Sequence, residues 1–334
     1  MLNTVVIGAG FVGDQHANAA KNSKRLNLLA IVDANADRAK AIADKYDVKY
    51  YTSAAEMFEA EKPDIADICL PTFLHEEYVL LAARYRVNIL CEKPVALTLE
   101  SMDKMIAAAK DAGVEFMVAQ VVRFWPEYVA IKELYDEGVF GEIKMVYAAR
   151  LAQHPDWTQW HKDPKNSGGG LFDLHLHDID FVSYIFGDVK SVYATGWRSE
   201  TGCWNHVMSV LKFKNGVNAV VEGAFDMTEN FPFTMKLRIV GETTSVDYNL
   251  IAGFNLEDVA SSTRSAVYYE NGKDPRKLDV NESEDAYQTE MDYFAACIED
   301  GKPILTIPIE KSREVVRIML AIKESLETGK VVDL

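Results

Sequence analysis

Three sets of residues in this 334-residue chain carry chemistry in their types and spacing. The first is Gly8-Ala9-Gly10-Phe11-Val12-Gly13, followed twenty residues later by Asp33. Set between a strand and a helix, G-x-G-x-x-G holds a dinucleotide. The first glycine permits a tight turn, the second lets the backbone approach a pyrophosphate, and the third allows helix and strand to pack closely. The helix N-terminus offers N–H groups to the anion. Asp33 closes the second strand, where a carboxylate accepts hydrogen bonds from a ribose. Gly8, Gly10, Phe11, Val12, Gly13 and Asp33 are therefore the expected cofactor residues. The charge of Asp33 would repel a 2′-phosphate, so NAD is expected over NADP; Arg38, one helical turn on, is the residue that could reverse this.

The second set is Cys91-Glu92-Lys93-Pro94, at the carboxyl end of an apolar run. Ligands bind at that edge of open α/β sheets, so Lys93 can meet a substrate. The third begins at Gly168-Gly169-Gly170. Phe172, Leu176, Ile179 and Phe186 then recur at helical spacing, as do Leu171, Leu174, Val182 and Ile185. A helix over Gly170 to Phe186 places Asp173, His177 and Asp180 on one stripe, delivering a carboxylate and an imidazole together. His175 is rotated about 200° from Asp173 on such a helix. On a strand Asp173, His175 and His177 would share a face suited to zinc; the helical periodicity argues against that, and no metal is expected.

These residues need a frame. The first 120 positions alternate short apolar runs with amphipathic stretches, the pattern of a parallel sheet wrapped by helices. Strands are expected at Thr4 to Ile7, Leu28 to Val32, Val48 to Tyr51, Ile65 to Leu70, Asn88 to Cys91 and Phe116 to Gln120. Helices are expected at Ala36 to Tyr46 and Leu99 to Ala112. Beyond Gln120 the runs lengthen and partly alternate: Ile143 to Arg150, Val189 to Arg198, His206 to Phe213, Val217 to Asp226 and Phe233 to Val240. Lys214-Asn215-Gly216 reads as a tight hairpin turn. Helices over Ser283 to Ile298 and Lys311 to Glu327 close the chain. The expectation is an α/β Rossmann domain at 1–120, a doubly wound parallel sheet, and an α+β domain at 121–334 with a large, mainly antiparallel open sheet.

Composition narrows the function classes. Acids outnumber bases 51 to 35, a formal net charge of -16. Such a surface repels nucleic-acid backbones and anionic lipids, so neither partner is expected. The excess lies in the second domain, with 22 basic and 34 acidic residues against 13 and 17 in the first 120. That leans toward a neutral substrate. No run approaches the roughly 20 apolar residues of a membrane span, and Val5 to Val12 lacks the flanks of a signal peptide. Cys69, Cys91, Cys203 and Cys297 are scattered without a C-x-x-C pair. A cytoplasmic protein with reduced thiols is expected.

Taken together these features resemble the Gfo/Idh/MocA family of oxidoreductases. The resemblance spans nearly the whole chain: Gly8 to Gly13, Asp33, Pro71-Thr72 with His75, Glu92-Lys93-Pro94, Gln120 with Arg123-Phe124, Gly138-Val139-Phe140-Gly141, and Gly168-Gly169-Gly170 through Asp173 and His177. It implies that Lys93, Asp173 and His177 form the substrate-facing catalytic group, that the Lys93-Pro94 bond is cis as in many members, and that dimers or tetramers form through the exposed face of the second sheet. Pro71, Thr72, His75, Glu92, Lys93 and Gln120 join the expected cofactor residues, although His75 could equally cap the following helix. One position departs from the pattern: the family commonly has glycine where His175 stands, which implies different neighbours on that side of the helix.

Oxidising a secondary alcohol requires removal of the hydroxyl proton as hydride leaves for the nicotinamide. An imidazole, with an unperturbed pKa of about 6.5, suits that task. His177 is the expected general base, Lys93 the cation that stabilises alkoxide charge, and Asp173 the group that holds the lysine or a neighbouring hydroxyl. The segment His154 to Lys162 reads as a loop over the pocket, with His154 and Trp157 offering faces suited to sugar C–H groups. Arg123 either contacts substrate or ties the domains together. The leading expectation is an NAD-dependent dehydrogenase of a cyclic polyol or sugar. A phosphorylated or nucleotide-activated sugar is the alternative, with Lys162, Lys165 and Arg123 as its candidate cations. A non-catalytic sensor of NAD and sugar would have lost Lys93, Asp173 or His177, and all three are present.

Overall fold

The structure is a computed structural model that describes residues 1–154, 159–252 and 262–334. The chain forms two compact units. One comprises Met1–Phe124 with Ser283–Arg313, the other Trp125–Glu282 with Glu314–Leu334.

In the first unit, β1 (Leu2–Ile7), β2 (Leu26–Val32), β3 (Lys49–Tyr51), β4 (Ile65–Ile68), β5 (Asn88–Glu92) and β6 (Phe116–Ala119) form a parallel sheet of order β3-β2-β1-β4-β5-β6. Short strands such as Ile65-Ala66-Asp67-Ile68 are buried on both faces, as wrapping helices require. Those helices are α1 (Phe11–Asn22), α2 (Ala36–Tyr46), α3 (Ala54–Glu61), α4 (His75–Arg84) and α5 (Leu99–Ala112). Their ends follow local chemistry. Asn35 accepts from the amides of Asp37 and Arg38 to start α2, Thr98 accepts from Ser101 to start α5, and Gly113, at φ 68°, stops it. Strand order reverses between β1 and β4, which opens a crevice at their carboxyl ends.

In the second unit, α6 (Pro126–Asp136), β7 (Ile143–Leu151), α7 (Pro164–Ser167), α8 (Leu176–Phe186), β8 (Val189–Arg198), β9 (Trp204–Phe213), β10 (Asn218–Ala224), β11 (Thr234–Gly241), β12 (Thr244–Ile251), β13 (Thr263–Glu270) and β14 (Arg276–Lys277) follow in order. Next in sequence come α9 (Ala286–Asp300), which belongs to the first unit, and α10 (Ile309–Thr328) and β15 (Val332–Asp333). Among the described residues the second sheet runs β14-β13-β12-β11-β7-β10-β9-β8-β15. It is antiparallel except where β10 lies parallel to β7. The Lys214–Gly216 hairpin joins β9 to β10, and its positive φ is borne by Gly216 alone, at 94°. Tyr128 of α6 packs edge-on against Phe181 of α8 and Tyr248 of β12, all three buried under one face of the sheet.

Contiguous domains of 1–120 and 121–334 do not describe these units, because α9 returns to the first. It packs on α1, with the Tyr287 ring edge-on to His16 and Asp292 accepting from the Ser23 hydroxyl. Among the described residues no helix is long and apolar enough to cross a membrane.

Candidate active site

The fingerprint loop leaves β1 and enters α1, and its three glycines meet different constraints. Gly8 has φ 115°, and a Cβ there would stand 2.3 Å from the Cys69 carbonyl oxygen. A Cβ on Gly13 would stand 1.8 Å from the Gly8 carbonyl oxygen. Gly10 is exposed, with no atom within 4 Å of the place its Cβ would take. The chain's own packing thus forbids side chains at the outer two glycines, while the middle one faces open space. Gly10 is also the N-cap of α1 and supplies no side-chain cap, so the first amides of that helix are left for an anion. Phe11 is exposed and Val12 half-buried on the first turn. Asp33 is buried at the end of β2. One of its oxygens accepts from the Ala9 amide at 2.9 Å, the other from Asn35 N at 2.8 Å and Arg38 Nη2 at 2.9 Å. These residues fit a dinucleotide: the open loop at Gly10 would take its anion and Asp33 its ribose.

Glu92 ends β5 and Lys93 follows, half-buried, before a cis bond to Pro94. The Glu92 carboxylate is spent on the turn itself: Oε2 accepts from the Lys93 amide at 2.9 Å and Oε1 from His16 Nε2 at 3.0 Å. His16 Nδ1 donates in turn to Asp67 Oδ2 at 2.9 Å. Burial alone would discharge this ring, but Asp67 beside it holds the imidazole well above its ordinary pKa. His75 does not cap α4. Its ring sits between two carbonyl oxygens, Nε2 2.7 Å from Leu70 and Nδ1 3.1 Å from Pro94, and burial lowers its pKa. Thr72 opens a short 3-10 turn beside Pro71, and Gln120 is buried at the end of β6. Arg123 donates to the Thr306 carbonyl at 2.6 Å, tying the returning segment to the rest of its own unit.

In the second unit the glycine run is a packing requirement. Gly169 has φ 71°, and a Cβ on it would overlap the Cys203 side chain at 2.6 Å. The helix that follows opens differently from the expected regular α-helix: Leu171–His175 forms a π-helical turn that then tightens into α8. Such wide turns recur at functional sites. Asp173 and His177 are half-buried, whereas Asp180, expected on their stripe, is wholly buried. Asp173 Oδ2 lies 3.8 Å from His161 Nε2, so the short turn Trp160–Lys162 supplies it a cationic neighbour whenever that ring is protonated.

His175 points into the sheet. Its Nε2 is 2.8 Å from Ser209 Oγ on β9, and the ring presses on Gly223 of β10, where a Cβ would approach its Nδ1 to 2.7 Å. Complete burial drives its pKa down to about 3. The missing glycine at 175 is thus matched by a glycine on the facing strand. Next along the helix, Asp178 makes a buried two-pronged pair with Arg150 of β7, at 2.9 and 3.2 Å. These two contacts pin the π turn and α8 to the sheet.

His154 lies near Phe225, ring centroids 6.2 Å apart, while Trp157 falls outside the described residues. Lys162 is half-buried and Lys165 exposed. Sequence reasoning missed His16, Asp67 and the Arg150–Asp178 pair. A signal was present at Asp67, an acid inside a strand buried on both faces, which demands a partner.

Two family profiles match the chain: "Oxidoreductase family, NAD-binding Rossmann fold" over residues 2–120, and "GFO/IDH/MocA C-terminal domain" over residues 128–247. The chain is 26% identical to the D-glucoside 3-dehydrogenase of Escherichia coli, covering 100% of this chain and 97% of that protein. It is 27% identical to the myo-inositol 2-dehydrogenase of Thermotoga maritima, covering 98% and 97%. A structure of levoglucosan dehydrogenase in complex with NADH superposes with a TM-score of 0.82 at 24% identity, covering 99% and 98%.

Proposed function

The chain belongs to the Gfo/Idh/MocA oxidoreductase family, and from that premise we propose that it is an NAD-dependent dehydrogenase of a secondary alcohol on a neutral cyclic polyol or sugar. The observation that carries this reading is the fingerprint loop, open at Gly10 over an uncapped α1, with Asp33 at the end of β2. The relatives that act on a glucoside and on inositol support the substrate class.

When bound, the nicotinamide supplies the hydride acceptor. The protein's own residues do the rest. His177 takes the hydroxyl proton at an imidazole nitrogen as the carbonyl forms. The Lys93 ammonium stabilises the negative charge gathering on that oxygen, and Asp173 orients the lysine or a neighbouring hydroxyl. In reduction the same groups act as acid and clamp. Asp33 favours NAD by accepting from a ribose diol and repelling a 2′-phosphate.

We further infer a homodimer or homotetramer formed through the outer face of the second sheet, in a cytoplasmic setting that keeps the four free cysteines reduced. Tyr193 and Val210 are cross-strand neighbours on that face, as are Val210 and Val220, with Met208 and Trp197 beside them. Trp197 is 53% exposed. A patch of this kind suits coverage by a second copy; a monomer mass by light scattering at micromolar concentration would remove that inference.

The activity is tested by offering polyols, free sugars, sugar phosphates and nucleotide sugars with NAD and with NADP, and reading nicotinamide absorbance. Turnover of an unphosphorylated polyol or sugar with NAD is expected. Turnover of a nucleotide sugar alone would overturn the substrate class, and turnover with NADP alone would overturn the cofactor.

A further inference from the structure

His16 is wholly buried on α1, three residues past the last fingerprint glycine, and its ring lies between two carboxylates on neighbouring strands. An ionised carboxylate accepts and does not donate, so both bonds exist together only when both ring nitrogens carry hydrogen. The result is a cation clasped by two anions, in charge-assisted bonds of 2.9 and 3.0 Å. The other groups facing the ring add no charge at neutral pH. Cys69 donates its thiol hydrogen to the second Asp67 oxygen at 3.5 Å, and Tyr287 of α9 meets the ring edge-on. Burial holds both of these protonated.

Three buried ionisable groups are a costly way to fill a core, since an apolar set of the same volume would serve stability as well or better. What this set does that an apolar one would not is grip Glu92, whose free oxygen then holds the Lys93 amide. The same helix that offers its N-terminus to the dinucleotide therefore also fixes the strand exit that carries the lysine.

Resting on the dehydrogenase reading, we propose that His16 is a positioning residue: bridged between Asp67 and Glu92, it sets the Lys93 turn at one fixed place relative to the nucleotide loop. Its loss would leave the fold and the loop standing while the lysine turn moves. The variants His16→Leu, His16→Gln and Glu92→Gln, made in the full chain, separate these effects by thermal unfolding, NAD titration calorimetry, kcat and KM on the alcohol that wild type oxidises, and the rate of Lys93 acetylation followed by mass spectrometry.

In His16→Leu, kcat should fall by about 30-fold or more, as a displacement of about an ångström costs. Its NAD Kd and alcohol KM should stay within about threefold, the split that marks an interaction made only in the transition state. His16→Gln, whose amide still donates to Glu92, should recover much of the loss. Lys93 acetylation should change in His16→Leu while that of exposed Lys24 and Lys110 does not. A folded His16→Leu with unchanged kcat and unchanged Lys93 acetylation overturns the proposal. If that variant does not fold, Glu92→Gln is read by its kcat and its Lys93 acetylation, a folded protein unchanged in both overturning the proposal. If wild type oxidises no alcohol offered, the dehydrogenase reading fails, and Lys93 acetylation still decides the role of His16.

Discussion

Replacing Gly13 by alanine sets two physical effects against each other. Gly13 lies in the first turn of α1, where helix propensity alone predicts that alanine stabilises by up to about 1 kcal/mol. The added methyl, however, would stand 1.8 Å from the Gly8 carbonyl oxygen. An ordinary carbon–oxygen contact is about 3.3 Å, so helix and loop must part by roughly 1.5 Å. Gly8 has nowhere to go. Its amide is held to Val32 at 2.7 Å, and its other side is closed by the Cys69 carbonyl. The strain should exceed the propensity gain, for a net loss of about 3 kcal/mol or more. Gly10→Ala is the control: its φ of −88° accepts any residue and no atom lies within 4 Å. It should keep the wild-type midpoint to within about 1 kcal/mol. NAD affinity should nevertheless fall about tenfold, because the methyl occupies the anion's approach. The assay is urea unfolding followed by far-UV circular dichroism, with NAD affinity by calorimetry; tryptophan fluorescence is unsuitable because all five tryptophans lie beyond the first unit. A Gly13→Ala protein as stable as wild type would refute the close-approach argument. Unchanged NAD binding in Gly10→Ala would refute the placement of the anion.

Lys93→Ala should lower kcat by about 100-fold or more while the NAD Kd stays within about twofold; equal losses in both would reject its role as an electrostatic clamp. Asp33→Ser removes the charge facing the ribose and releases Arg38, so the ratio of kcat/KM for NADP over NAD should rise about tenfold or more, and an unchanged ratio would show that Asp33 does not discriminate. His175 has a folded pKa of about 3 and an unfolded one of about 6.5, so the neutral ring favours the fold fully above the upper value, and that contribution is lost as pH falls through the window. The full effect is on the order of 5 kcal/mol. Urea midpoints measured from pH 7 to pH 4 should fall more steeply for wild type than for His175→Gln; parallel slopes would mean that His175 does not carry the acid sensitivity.

The first sheet was legible because most of its strands carry a short apolar core bounded by turn residues, and the cap residues Asn35 and Thr98 stand where the helices start. The fingerprint loop was legible because its chemistry is local: three glycines and an acid within one βαβ unit. The return of α9 was not, since an amphipathic helix states that it packs and not on what. The parallel pairing of β10 with β7 was hidden for a similar reason, because strand patterns disclose faces and not neighbours. At the site, helical spacing separated His175 from His177, while the accommodating Gly223 lies on a strand distant in sequence. The grip of His16 on Asp67 and Glu92 spans 51 and 76 positions, beyond any window in which periodicity speaks. Only the polar residues at core positions hinted at it.

The central claim is hydride transfer from a carbon bearing a hydroxyl to NAD. The most direct measurement is mass spectrometry of the reduced nucleotide after wild-type protein and NAD meet a polyol or sugar deuterated at its ring carbons. One deuterium in each NADH formed is the predicted result. NADH without deuterium, or no reduced nucleotide from any alcohol offered, would contradict it.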